Sequence, residues 1–106
     1  MVRMVFSTFP DAETAEKIGR LLVEEGLAAC VTVTGQCRSI YKWKNEVQDH
    51  KEVLAIIKTH NDRLEEMLEK LHQHHPYDVP ESLVVKAGCG FEKYYQWIEE
   101  VTDPDK

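Results

Sequence analysis

Residues 27–59 have the sequence LAACVTVTGQCRSIYKWKNEVQDHKEVLAIIKT, which contains two extended patterns separated by a short polar turn. The first pattern covers residues 27–43 and is interrupted near Gly35 by a bulge or a short loop. Residues 44–46, Lys-Asn-Glu, are typical of a hairpin turn, because asparagine tolerates a left-handed backbone. Residues 47–59 include a continuous apolar run that indicates a strand covered on both faces. The stretch therefore predicts a hairpin long enough to project beyond a small domain.

The chain before this hairpin predicts a strand, a tight turn and a helix. Residues 2–9 are rich in β-branched and aromatic side chains, which favours a first strand. Asp11 is a suitable N-cap, and apolar residues then recur at helical spacing as far as Leu22. Gly26 follows as a helix stop.

The chain after the hairpin predicts helix, strand and helix. Leucine and methionine recur at intervals of three and four residues over 64–71, which indicates an amphipathic helix capped by Thr59 or Asn61. Pro76 ends that helix, a strand covers residues 81–87, and a short helix closes the chain. The order β-α-β-β-α-β with a short C-terminal helix is typical of the ferredoxin-like α+β fold, with an antiparallel sheet and both main helices on one face.

Length, charge and hydropathy narrow the class of protein. The 106 residues fit a single domain over residues 1–106, with a structured core at 2–101. Nineteen acidic and thirteen basic residues give a net charge of −6 without a basic stripe, so we expect no nucleic-acid partner. No apolar run approaches the roughly 18 residues of a membrane helix. We therefore expect no membrane partner.

The cysteines and the N-terminal residues bear on the compartment. Cys30, Cys37 and Cys89 form no C-x-x-C pair, which indicates reduced thiols rather than a disulfide framework or a zinc finger. The apolar stretch at residues 2–6 is too short for a signal peptide. We therefore expect a cytoplasmic protein.

One face of the predicted sheet has no helix of its own, because both main helices lie on the other face. Tyr41 and Trp43 occupy alternate positions of the hairpin, so their side chains point the same way. They form either a local packing pair or an aromatic part of a subunit interface, where such residues are enriched. An uncovered face with long edge strands indicates an assembly surface.

Six short blocks of sequence follow one another along most of the chain. They are STFPD at 7–11, GLAACV at 26–31, RSIYKW at 38–43, EV at 52–53 with IKT at 57–59, HPYDVPE at 75–81, and YYQW at 94–97. Together, over about residues 2–101, they resemble the CutA divalent-cation tolerance family. HPYDVPE is the most specific of the six.

The resemblance implies a ferredoxin-like fold and a compact homotrimer in which the long hairpins pair between subunits. The family's architecture is similar to that of the trimeric PII signalling proteins. Its name implies tolerance to divalent metals, and copper binding is the activity most often attached to it. The resemblance therefore implies a weakly bound Cu²⁺ or another divalent cation, and an alternative role as a trimeric scaffold or PII-like signalling module.

The chain departs from the family pattern at several positions. Ser7 stands where some relatives carry a cysteine proposed as a copper ligand, and a hydroxyl is a poor ligand for soft copper. Asn45 stands in the hairpin turn where glycine is common. Cys37 and Cys89 lie outside the family pattern, so no role transfers to them.

Three of the five histidines lie in the segment His72-Gln73-His74-His75. Imidazole suits copper, zinc and nickel, so this segment is a candidate metal site. The alternative is that histidines in the last turn of a helix interact favourably with its dipole. Because the HPYDVPE block begins at His75, we expect His74 and His75 to be the metal ligands.

A second candidate site is a polar pocket between subunits that binds an ion or a small anion. Its expected residues are Lys58, Tyr77 and Glu81, together with Tyr41 and Trp43. The alternative is a hydrogen-bonded network that serves only to fix the loop before the last strand.

An enzyme is the least favoured class. The motifs G-x-S-x-G and H-E-x-x-H and the P-loop are absent from the sequence. His75 and Glu81 could act as an acid–base pair, but no nucleophile accompanies them. Cys30 lies in an apolar strand, where we expect it to be an inert core residue. We therefore expect no enzymatic activity.

Overall fold

A computed structural model describes residues 1–105 of the chain. Its elements are β1 (Val2–Phe9), α1 (Ala12–Glu24), β2 (Cys30–Trp43), β3 (Glu46–His60), α2 (Asn61–His74), β4 (Leu83–Lys86) and α3 (Glu92–Thr102). The four strands form one antiparallel sheet in the order β2-β3-β1-β4. This arrangement confirms the predicted ferredoxin-like α+β fold, the long hairpin and the short C-terminal helix.

Some predicted boundaries were wrong. β2 begins at Cys30 rather than at residue 27, and β4 covers only Leu83–Lys86 of the predicted 81–87. The ladder with β1 begins where Leu83 pairs with Phe6, and the Ser82 side chain just before it contacts His72 of α2 instead. None of the helices within residues 1–105 is long and apolar enough to cross a membrane.

The cap of α2 is His60, not Thr59 or Asn61. The Nδ1 atom of His60 accepts a hydrogen bond from the Asp62 N–H at 3.2 Å. The fully buried hydroxyl of Thr59 donates instead to the Leu27 carbonyl at 2.6 Å, so it cannot serve the helix. At the other helix, Asp11 caps α1 as predicted and accepts from the Thr14 N–H at 2.7 Å.

The main core lies between the sheet and the two helices α1 and α2. Its most deeply buried members are Val5, Phe9, Ala15, Leu22, Ala55, Ile57, Met67 and Leu71. A Cβ added at Gly19 of α1 would come within 3.0 Å of the Val31 side chain, so the absence of a side chain lets this helix lie close to β2. These contacts fix one face of the sheet, here called the helix face.

The opposite face, here called the second face, carries half-buried residues of β1 and β3 such as Met4, Phe6 and Ile56. The expectation that no helix covers this face is only partly right. Ile98 of α3 is fully buried in a small cluster with Val2 and Ala29. α3 therefore covers the end of the second face that lies away from the hairpin turn.

A β-bulge in β2 decides which residues of the hairpin share a face. Val33 pairs with Ala55 and Gln36 pairs with Val53, so Thr34 and Gly35 together oppose a single residue. The Thr34 hydroxyl oxygen accepts from the N–H of that residue, Leu54, at 3.1 Å. Because the bulge adds one residue, the odd-numbered residues of β2 beyond it lie on the second face. They are Cys37, Ser39, Tyr41 and Trp43.

The outer half of the hairpin projects from the molecule, which measures 46 × 27 × 22 Å. β1 ends at Phe9, opposite Val53, so residues 46–52 of β3 extend beyond it. The turn contains two residues with positive φ, Lys44 at 50° and Asn45 at 66°, as in a type I′ hairpin. Glu46, predicted in the turn, belongs to β3 and pairs with Trp43.

Candidate functional site

A cleft of about 900 Å³ lies between the second face of the projecting hairpin and the loop over residues 76–81. The residues that line it include Tyr41, Trp43, His50, Glu52, Tyr77 and Glu81. Four of the five predicted pocket residues therefore come together, since the bulge places the two hairpin aromatics on the same face as Glu52. The loop after α2 supplies the opposite wall.

Glu52 and Tyr77 form the central contact of the cleft. The Tyr77 hydroxyl donates to Oε2 of Glu52 at 2.6 Å, and Glu52 is only 7% exposed. Burial, followed by the hydrogen bond to Glu52, raises the pKa of Tyr77 above its ordinary value. Tyr77 therefore stays a neutral donor at physiological pH.

Glu81 lies in the same cleft and is affected by the same carboxylate. Loss of solvent around its carboxyl group raises the pKa of Glu81, and the negative charge of Glu52 raises it further. Two carboxyl groups close to each other in a partly dry cleft disfavour a second negative charge. The cleft is thus electrostatically suited to a positive charge.

His75 anchors the loop that forms the wall of the cleft. Its Nε2 donates to the Thr8 carbonyl at 2.9 Å, and its Nδ1 accepts from the Tyr77 N–H at 3.1 Å. The ring stacks on Phe9, with 4.5 Å between centroids, and the residue is 8% exposed. Burial lowers the pKa of His75, which favours the neutral ring that these two bonds require.

The other histidines of the segment have different surroundings. His74 ends α2 and is exposed, whereas Nε2 of His72 lies 2.6 Å from the Ser82 hydroxyl. With both nitrogens of His75 bonded to the backbone, the structure does not present His74 and His75 as a matched pair of free ligands. Within residues 1–105, no three side chains of His, Cys, Asp or Glu come close enough to hold a metal ion.

Lys58, the fifth predicted pocket residue, does not line the cleft. Its Nζ donates to the Thr32 hydroxyl and lies 3.8 Å from Sγ of Cys30. Lys58 is six residues from Glu52 along β3, a distance of about 20 Å in an extended strand. Cys30 is therefore half-buried on the second face, not in the apolar core where we expected it.

Ser7 is fully buried on the helix face. Its hydroxyl oxygen has no hydrogen-bond partner among the described residues. The structure therefore places Ser7 apart from the lining of the cleft.

Glu52 and His50 are site residues that the sequence reasoning missed. Both lie at even positions of β3, on the second face with Tyr41 and Trp43. Alternation along β3 marks the shared face of Glu52 and His50, but their alignment with the aromatics of β2 depends on the bulge. The sequence near Gly35 is compatible with either a bulge or a short loop, so it does not determine which residues of β2 share a face with Glu52 and His50.

The comparisons with known proteins agree with this fold. A family model described as "CutA1 divalent ion tolerance protein" matches residues 3–101. The "Divalent-cation tolerance protein CutA" of Pyrococcus horikoshii is 39% identical over 99 residues, which cover 93% of this chain and 96% of that protein.

Two further comparisons concern a longer protein and a solved structure. The "Protein CutA, chloroplastic" of Arabidopsis thaliana is 37% identical over 93% of this chain, which spans only 54% of that longer protein. The crystal structure of CutA from the bacterium Xylella fastidiosa superposes with a TM-score of 0.93 at 37% identity, and covers 96% of this chain and 98% of that one.

Proposed function

Because the chain belongs to the CutA1 divalent ion tolerance protein family, we propose that it acts as a homotrimer that binds a divalent cation, with copper as the first candidate. The proposed role is binding rather than catalysis. The observation that carries the proposed assembly is the projecting hairpin, whose apolar side chains are exposed to solvent in a single chain.

The hairpin exposes apolar groups on both of its faces. Ile40 is 69% exposed and Val47 is 71% exposed on one face, and Trp43 is 50% exposed on the other. The edge strand β4 also exposes Leu83, at 60%. Contiguous apolar surface on edge strands marks contact sites between proteins, and closed symmetric assemblies cover such edges.

The cation is proposed to bind where copies meet. A single chain offers fewer than three clustered ligands within residues 1–105, whereas copper and zinc sites in proteins commonly use three or four. His74 is exposed and can point into a junction between copies. His75 can join it only by releasing the Thr8 carbonyl or the Tyr77 N–H.

The assembly is tested by light scattering on the purified chain. We expect a mass of about 37 kDa, three times the 12.3 kDa of one chain. Val47→Asp places a charge on the bare hairpin and should lower the mass, whereas Gln73→Glu adds the same charge on exposed α2 and should not. A mass of one chain at micromolar concentration would overturn the trimer.

The ligand assignment is tested by copper titration with calorimetry. We expect His74→Ala to weaken binding, and His72→Ala, which alters a neighbouring histidine bonded to Ser82, to leave it unchanged. Equal copper affinity of the parent chain and of a His74→Ala/His75→Ala double variant would show that the histidine assignment is wrong. Binding no tighter than roughly millimolar would remove a physiological copper role.

A trimeric scaffold or signalling module is the second candidate function, and the preformed cleft beside Glu52 favours it.

The proposed compartment is the cytoplasm. It is supported by the three cysteines, all of them free thiols, which suit a reducing environment. Fractionation of cells with an antibody against the chain tests this placement.

A further inference from the structure

The carboxylate of Glu52 has less charge compensation than its burial requires. Glu52 is 93% buried, as its 7% exposure shows. The only hydrogen bond that its carboxylate receives within residues 1–105 comes from the neutral hydroxyl of Tyr77. Buried carboxylates are normally paired with a cation, because removing the charge from water is costly. Glu52 therefore lacks a positive partner among the described residues.

The rest of the cleft does not supply that partner. Asp78 and Glu81 also line it, and no lysine or arginine of residues 1–105 does. His50 is the one basic group of the lining in the described chain, and its Nδ1 is engaged with the Tyr41 hydroxyl at 2.9 Å. Three carboxyl groups thus face a cleft that repels anions and attracts cations.

Aromatic side chains form the outer part of the same cleft. Tyr41 and Trp43 are 40% and 50% exposed, and Tyr77 lies opposite them in the loop. The electron-rich faces of tyrosine and tryptophan attract organic cations, most strongly where water is partly excluded. The ring faces themselves are poor ligands for divalent metal ions, which prefer oxygen, nitrogen and sulfur donor atoms.

We propose that this cleft binds a small organic ammonium ion, with its charged nitrogen beside Glu52 and Glu81 and its apolar part against Tyr41 and Trp43. The volume of about 900 Å³ lies within the range of small-molecule sites. The site goes beyond the proposed metal-binding function, because it uses neither His74 nor His75. Its proposed occupant is an organic ammonium ion rather than a divalent metal ion.

Choline and its neutral isostere dimethylbutanol, in which carbon replaces the quaternary nitrogen, test the charge requirement. Binding is followed by the NMR shift of the Trp43 indole N–H on the assembly as purified, at constant ionic strength. We expect choline to bind about tenfold more tightly than the isostere, since carboxylates and aromatic faces both favour the cation. Equal binding of the two compounds would overturn the proposal.

Variants then locate the site. Glu81→Gln removes one carboxylate of the cleft without touching the Glu52–Tyr77 bond, and it should weaken choline binding several-fold. Asp49→Asn is the matched control, because it removes the same charge from the face of the hairpin that points away from the cleft. Trp43→Leu removes the indole signal, so it is compared with the parent chain by calorimetry, where it should weaken choline binding while leaving the affinity for the isostere nearly unchanged.

Two outcomes contradict the proposal without bearing on the metal site. If Glu81→Gln and Asp49→Asn weaken choline binding equally, general surface charge attracts the cation. If choline shifts no Trp43 signal while the mass shows a trimer, a side chain of the neighbouring copy fills the cleft. A failed copper titration or a monomeric mass leaves the choline experiment unaffected, so the two proposals fail separately.

Discussion

The two halves of the long hairpin differ in what covers them. The inner half, residues 30–33 with 53–60, lies within the sheet, where β3 has neighbours on both sides and α1 and α2 cover the helix face. The outer half, residues 36–52, has no such cover. Val53 and Ile57 are at most 5% exposed, whereas Ile40 and Val47 are at least 69% exposed.

Apolar side chains of the same hairpin therefore have different effects in its two halves. In the inner half, burial of apolar groups stabilises the chain itself, at about 25 cal/mol for each Å² removed from water. In the outer half, similar side chains gain nothing until another molecule covers them. Stability should therefore depend on the inner half, and assembly and ligand binding on the outer half.

The largest expected effect comes from the core beneath the inner half. Leu71 of α2 is fully buried, and Leu71→Ala should lower the free energy of unfolding by about 2–5 kcal/mol, because it removes buried methyl groups and leaves a cavity. Urea unfolding at fixed protein concentration measures the change.

Val47→Ala in the outer half is the matched comparison. Within one chain it should cost less than about 0.5 kcal/mol, since Val47 is 71% exposed. If copies meet at the hairpin, the cost of Val47→Ala should depend on protein concentration, whereas that of Leu71→Ala within the chain should not. Equal costs at all concentrations would remove the distinction between the two halves.

The inner half was the more predictable part. Its strands, the helices that cover it and the cap at Asp11 follow from alternation, helical spacing and a polar residue before an apolar stripe. The cap at His60 was missed, because Thr59 is the better capping residue by type, and only the tertiary contact with Leu27 diverts its hydroxyl.

The outer half was less predictable, because the face on which each residue of β2 lies depends on whether an extra residue is inserted near Gly35. Without the bulge at Gly35, Tyr41 and Trp43 would lie on the face opposite Glu52. Local sequence shows an interruption there, but whether it adds one residue or forms a loop depends on pairing with β3. The sequence therefore favoured the aromatics and Tyr77 as site residues, but missed the carboxylate that they surround.

The second prediction compares two fully buried hydroxyls of the inner half. The Thr59 hydroxyl donates to Leu27 at 2.6 Å, whereas the Ser7 hydroxyl has no partner among the described residues. Thr59→Val should cost about 1 kcal/mol and Ser7→Ala should stabilise by a similar amount, because only the second change removes an unsatisfied buried group. Thermal unfolding of both variants measures the signs, and a loss of stability in Ser7→Ala would show that its hydroxyl is satisfied.

The third prediction concerns the stability of the chain at acid pH, which should depend on His75, the residue that anchors the loop over residues 76–81. Folding lowers the pKa of His75 from its ordinary 6.5. As the pH falls, His75 is therefore protonated at a higher pH in the unfolded chain than in the folded chain. The contribution of neutral His75 is present in full above about pH 6.5 and should be lost as the pH falls through the lowered value. The free energy of unfolding of the parent chain should therefore fall on acidification from about pH 7.5 to 5.5.

Two variants assign that pH dependence. His75→Gln should flatten it, while His74→Gln, which changes an exposed neighbour, should leave it as in the parent chain. An unchanged slope in His75→Gln would show that other groups titrate in this range.

The smallest expected effect lies in the outer half. Arg38 and Asp49 form an ion pair at 3.0 Å, with side chains 57% and 47% exposed. Water screens such a pair, so Asp49→Asn should change the free energy of unfolding of one chain by less than about 0.5 kcal/mol. A larger loss that grows with protein concentration would mean that the neighbouring copy dehydrates this pair, and so would place the assembly contact on the helix-face side of the hairpin. A small loss that does not depend on concentration, alongside a concentration-dependent loss in Trp43→Leu, would place that contact on the side of the ammonium cleft.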